Sequence, residues 1–158
     1  EDGGDSDVGH KDLITAHFPT TKSSDLYFFE MVDEVRAHNQ RALKWSEDGL
    51  QNFALGSLQA APRMKGLKVD FKHMSAVKTC VEYLSRIPEE ELPHLWLNAD
   101  ILVGPAGINL VNPLDPEKFL TLCAKYCPNA VLSLGWTHGI PGSKTRYSQQ
   151  MIDDMISI

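Results

Sequence analysis

Two short segments carry charge inside an otherwise apolar pattern, Gly66 to Lys72 (GLKVDFK) and Leu95 to Ile101 (LWLNADI). Successive side chains of a strand point to opposite faces, so the first segment read as a strand sets Leu67, Val69 and Phe71 on one side and Lys68, Asp70 and Lys72 on the other. The second repeats the arrangement, with Leu95, Leu97, Ala99 and Ile101 opposed to Trp96, Asn98 and Asp100. Asp70 and Lys72 on one face either make a structural ion pair or line a polar site. Asn98 and Asp100 suit turn support as well as they suit such a site. Trp136, late in a third apolar segment, suits packing as well as an apolar wall. His17 precedes Phe18 and Pro19, a setting in which a lone histidine reads as a loop residue. Cys80, Cys123 and Cys127 leave one thiol unpaired within the chain, and Cys123-x-x-x-Cys127 reads as one buried thiol and one near a helix end rather than as a metal pair.

These residues need elements to position them. Leu13 to His17 predicts a short strand, followed by a polar loop and a helix from Leu26 to about Leu43, which Ser24 or Asp25 could cap. Trp45 to Pro62 has enough apolar residues for a second short helix, but Gly49, Gly56 and Pro62 interrupt it. Beyond it the pattern is regular: a strand at Gly66–Phe71, a helix at Ser75–Ser85, a strand at Leu95–Ile101, a helix at Pro116–Tyr126, a strand at Ala130–Trp136 and a last helix at Tyr147–Ile158. Strands alternating with helices predict parallel βαβ units. Asp70, Asp100 and Trp136, each near a strand's C-terminal end, lie 30 and 36 residues apart. An eight-unit barrel of about 250 residues averages about 31 per unit. A doubly wound sheet is covered on both faces and favours near-continuous apolar strands, whereas these strands alternate. The expectation is therefore α/β, an incomplete (β/α)8 TIM-like barrel with about three strands and their helices, and polar chemistry at its mouth.

Composition bounds the function classes. The chain has 158 residues, 42% hydrophobic and 23% charged, enough to bury a substantial core. A formal charge of -6 argues against nucleic acid or an anionic membrane surface as a general partner, so any phosphate binding must be local. No apolar run approaches the roughly 20 residues that span a bilayer, which predicts no transmembrane segment. The acidic, glycine-containing start, EDGGDSDVGHKD, reads as a loop entered from upstream, with no signal peptide, and the chain is expected to be an internal piece.

Four segments, ITAHFPTTKSSDL, GLKVDFK, LWLNADILVGP and LSLGWTHG, occur in the order found in the menorin family, which the chain resembles over most of residues 1–158. The family's first motif is usually Ala-His-Pro-Pro, so Phe18 departs from it while His17 and Pro19 are kept. That family in turn looks like the phospholipase C-like phosphodiesterases, which share a barrel and an acidic metal site. The resemblance implies that His17 is the second histidine of that site, acting in acid/base catalysis. It implies that Asp70 is a ligand to a divalent metal such as Mg or Ca, and that Lys72 contacts phosphate. It leaves Asn98, Asp100 and Trp136 as substrate-binding candidates. A first-strand histidine and a Glu-x-Asp on the second strand complete the family pattern; both are expected before residue 1, so the metal site is incomplete and this segment is not expected to be active alone. Relatives use a shorter connection than residues 37–63, which read as an insertion on the face away from the chemistry. Two functions are implied: a metal-dependent phosphodiesterase acting on a phosphodiester or phospholipid, or a secreted, non-enzymatic protein with extracellular protein partners, since the family is associated with cues that pattern dendrites. Fold alone does not choose between them.

Overall fold

The computed structural model describes residues 13, 26–48, 62–105, 111–138 and 146–158. They fall into two compact units, Glu1–Leu67 with Ser85–Leu95, and Lys68–Leu84 with Trp96–Ile158. The expected strand at Leu13 to His17 lies outside the described residues except for Leu13, as do His17, Ser24, Asp25 and residues 49–61.

In the first unit, α1 spans Phe28–Glu47 and is 20 residues long. It starts two residues later than the apolar pattern suggests, with Tyr27 at the N-cap, whose backbone N–H donates to the Glu30 carboxylate at 3.2 Å. It also runs past Leu43, to Glu47, and Phe28, Val32, Val35, Asn39 and Ala42 recur at helical spacing to form its inward stripe. Phe28 and Phe29 meet edge to face at 5.4 Å. Asn39 occupies the polar position on that stripe and is fully buried. Its Oδ1 accepts from the Lys65 N–H at 2.8 Å, and its Nδ2 donates to the Lys65 carbonyl at 2.9 Å and to the Glu91 carbonyl at 2.8 Å. One side chain thus ties α1 to the approach to the first strand and to a short 3-10 turn at Glu89–Glu91. Arg36 and Gln40, on neighbouring turns, both donate to the Glu91 carboxylate at 3.0 Å.

The second unit holds a three-stranded parallel sheet in the order β1 (Leu67–Phe71, whose first residue belongs to the other unit), β2 (Leu95–Leu102, likewise) and β3 (Val131–Trp136). Between the strands run α2 (Met74–Leu84) and α3 (Pro116–Tyr126), and α4 (Gln149–Ile156) follows β3. Capping sets two of these starts: Asp115 accepts from the Lys118 N–H at 3.1 Å ahead of Pro116, and Ser148 accepts from the Met151 N–H at 3.2 Å. The two crossover helices pack against one another, and the Tyr126 hydroxyl donates to Glu82 at 2.7 Å between them. Helices that lie side by side cover the same face of a sheet, as expected where consecutive parallel strands are joined by crossovers of one hand.

The core of this unit lies between those helices and the apolar strand faces. Val69, Phe71, Leu97, Ala99 and Ile101 are buried, and Phe119 from α3, with no exposed surface, meets Phe71 edge to face at 5.9 Å. Burying a side chain of that size contributes about 1.5–3 kcal/mol. The intervening residues behave as alternation requires: Lys68, Asp70 and Trp96 are exposed, and Asn98 and Asp100 half-buried. In the β2–β3 register Trp96 lies opposite Val131, Asn98 opposite Ser133 and Asp100 opposite Gly135, before a bulge between Asp100 and Leu102. Among the described residues the architecture is thus α/β with a three-stranded parallel sheet.

Candidate functional site

The polar face of the sheet carries a connected row of side chains. Asp70 leaves β1 next to β2, where the Asn98 amide donates to its Oδ1 at 2.8 Å. Lys72, one residue beyond the strand, pairs with Asp70 Oδ2 at 3.0 Å and lies 3.7 Å from Asp100 Oδ2. The Ser133 hydroxyl, from β3, donates to Asn98 Oδ1 at 2.8 Å. Four residues singled out from the sequence, Asp70, Lys72, Asn98 and Asp100, are therefore gathered in one hydrogen-bonded and ion-paired group, drawn from β1, its C-terminal end and β2. The side chains remain accessible, with 47% exposure at Lys72, 45% at Asp70 and 28% at Asp100.

Glycines make this geometry possible. A Cβ on Gly135 would come within 2.6 Å of Asp100 Oδ1, so the carboxylate rests over the space that a side chain would fill. A Cβ on Gly104 would lie 1.7 Å from the Thr137 carbonyl oxygen, which forces glycine where the ends of β2 and β3 close on each other. Gly104 N–H donates to Thr137 Oγ1 at 3.1 Å, and Thr137 N–H donates to the Leu102 carbonyl at 2.8 Å. These contacts hold the C-terminal ends of the strands that present Asp100 and Ser133.

Trp136 is placed differently. Alternation along β3 turns it away from the face of Ser133 and Gly135, and its ring lies 4.8 Å from that of Tyr147. Its Nε1 is buried with no hydrogen-bond partner among the described residues. His17 lies outside the described residues, and the group formed by Asp70, Lys72, Asn98 and Asp100 stands without reference to it. Ser133, which lies within the LSLGWTHG segment but was given no role there, is the residue that sequence reasoning missed. Its signal is register: a hydroxyl in an apolar strand gains meaning only once it is known to face Asn98.

The cysteines play no part in this row. All three are buried and none forms a disulfide. Burial pushes the Cys80 thiol up to about 12; burial and the neighbouring Cys127 do the same for Cys123, and burial takes Cys127 to about 11. Thiols held protonated in this way are poor nucleophiles and poor metal ligands. Cys127 caps α3, its Sγ directed at the Val81 carbonyl at 3.6 Å.

Asp70 and Asp100 supply the hard oxygen donors that Mg²⁺ or Ca²⁺ prefers. The donor set is short in number, for Asp70 already has one oxygen toward Lys72 and the other toward Asn98. Among the described residues no three His, Cys, Asp or Glu side chains form a metal-holding group. A divalent ion seated here would take its remaining ligands from outside those residues.

The family model for the Menorin N-terminal domain matches residues 5–158. Protein FAM151B of Homo sapiens is 36% identical over 93 residues, which is 58% of this chain and 33% of that protein. The chain thus spans about a third of the length of that curated relative. No solved structure matches the chain.

Proposed function

The chain belongs to the menorin family, and on that premise we propose that it forms part of a phosphodiesterase-type barrel whose mouth is the charged face of the sheet. The observation that carries this reading is the Lys72 ammonium held between the Asp70 and Asp100 carboxylates, on the sheet face opposite the one that buries Val69, Phe71, Leu97 and Ile101 and meets Phe119. In a barrel wound in this sense, that face is the interior, and the C-terminal strand ends carry the chemistry.

Lys72 contacts a phosphodiester oxygen and offsets charge as it grows there. Asp100 keeps the ammonium oriented when Asp70 turns to another partner. His17 moves a proton to or from the leaving oxygen. Two carboxylates and one ammonium leave the group with a net charge of about -1, which disfavours an anionic diester on its own. A divalent cation with Asp70 among its ligands would neutralise phosphoryl charge when bound. In this reading Asp100 and Asn98 position charge, and Trp136 packs with Tyr147 outside the mouth. Secretion is also part of the proposal; no helix among the described residues is long and apolar enough to cross a membrane.

The test is hydrolysis of a panel of phosphodiesters by the complete protein with Mg²⁺, Ca²⁺ or no added cation. Cation-dependent turnover lost in Asp70→Asn and His17→Ala is the expected result. Turnover that survives both substitutions sinks the assignment. A complete protein that hydrolyses none of the panel under any condition favours the non-enzymatic extracellular binding role.

A further inference from the structure

We infer that Ser133 is a positioning residue: acting through Asn98 from the neighbouring strand, it fixes the direction in which the Asp70 carboxylate is presented. An asparagine amide can sit in either of two orientations that differ by exchange of oxygen and nitrogen. Only one of them lets Nδ2 donate to Asp70. The acceptor-only Asp70 carboxylate, 2.8 Å from Nδ2, selects that orientation, and Ser133 Oγ–H, donating to Asn98 Oδ1 at 2.8 Å from the opposite side, holds the amide plane in place, so that the direction of the Nδ2–H toward Asp70 is fixed from β3. The chain of donors runs across three adjacent strands, from Ser133 to Asn98 to Asp70, and the carboxylate at its end has its second oxygen toward Lys72 at 3.0 Å.

The register supports a built arrangement. Ser133 faces Asn98 directly in the β2–β3 pairing, while the next polar-face position of β3 is Gly135, which leaves room for Asp100. β3 therefore serves both carboxylates, one through a hydroxyl and one through the lack of a side chain. A carboxylate supported in this way loses little freedom when it takes up its working partner, which is how supporting residues affect rate without touching substrate.

The inference rests on the phosphodiesterase reading for its kinetic arm alone, and a spectroscopic arm tests it independently. In the full-length protein, the Asn98 side-chain amide signals are identified by NMR from their loss in Asn98→Ala. Ser133→Ala should move those signals toward the positions of a solvent-exposed amide, and Ser133→Thr, which keeps the hydroxyl, should restore them. If the protein hydrolyses bis(p-nitrophenyl) phosphate, Ser133→Ala should lower kcat about tenfold with KM little changed, and Ser133→Thr should recover most of it. Asn98 signals that do not respond to Ser133→Ala overturn the inference, whatever the activity. Absence of turnover in the parent protein counts against the phosphodiesterase reading and leaves the NMR result to decide the role of Ser133.

Discussion

Lys72→Met separates a structural ion pair from a working cation. Lys72 lies 3.0 Å from Asp70 and 3.7 Å from Asp100. In a water-like dielectric these separations correspond to about 1.4 and 1.1 kcal/mol of attraction, and ordering a long side chain opposes this with a cost of up to about 2 kcal/mol. Lys72 and Asp70 are nearly half exposed, so the water-like figures apply and the net contribution falls to about 0–1 kcal/mol. For a chain of this size that is a change in Tm of at most about 4 °C. On the proposed reading, function should respond on a different scale, since the substitution takes the group's net charge from about -1 to about -2 and deletes the donor proposed to contact phosphate. Loss of one preorganised donor lowers kcat by about 10²–10³. The assay pairs thermal melting by circular dichroism with phosphodiester hydrolysis by the complete protein. A large fall in Tm with turnover intact would refute the reasoning and return Lys72 to a structural role.

Asn39→Ala removes three hydrogen bonds inside the first unit, at a net cost of about 3 kcal/mol and a fall in Tm of roughly 6–12 °C; Asn39→Asp, which cannot donate, should not rescue it, and a melt within about 2 °C of the parent refutes the assignment. Gly104→Ala drives a methyl into the Thr137 backbone, where no side chain can swing aside, and should cost about 3 kcal/mol or more, read as a lowered urea midpoint. The Gln40 amide and then Arg36 hold the Glu91 carboxyl below the ordinary carboxylate range. A lowered folded-state value means stability present above the unfolded value of about 4.3 and lost as pH falls through the folded one. Glu91→Gln should therefore flatten the acid limb of a urea-midpoint-versus-pH curve, and an unchanged limb would show that Glu91 does not contribute to it.

The sheet is largely legible in the sequence because alternation reports two environments at once: Val69, Phe71, Leu97 and Ala99 alone assign Asp70 and Asn98 to the polar face. The element boundaries from Gly66 to Trp136 also came within a residue of those observed, since Pro116 and the change from alternating to helical spacing mark them. The role of Asn39 was not legible, although it falls on the Phe28, Val32, Val35 and Ala42 stripe, because its partners are backbone groups near residues 65 and 91, which no local spacing brings beside it. Ser133 was hidden for a related reason, as its meaning depends on which residue of another strand lies beside it. Aromatic chemistry is ambiguous in one dimension: Trp136 suits packing as well as an apolar wall, and its neighbour Tyr147, 4.8 Å away ring to ring, is set by the fold rather than by any spacing in the sequence.

The bulge in β2 falls just after Asp100. Positions 96, 98 and 100 therefore stay in phase with 131, 133 and 135, and the extra residue is absorbed only downstream, where Leu114 N–H returns to the Asp100 carbonyl at 2.9 Å. Lengthening or shortening the connection between Leu102 and Leu114 can then be accommodated without slipping the alignment of the charged row. Descendants of this chain can vary the length of that connection while inheriting the same charges in the same places.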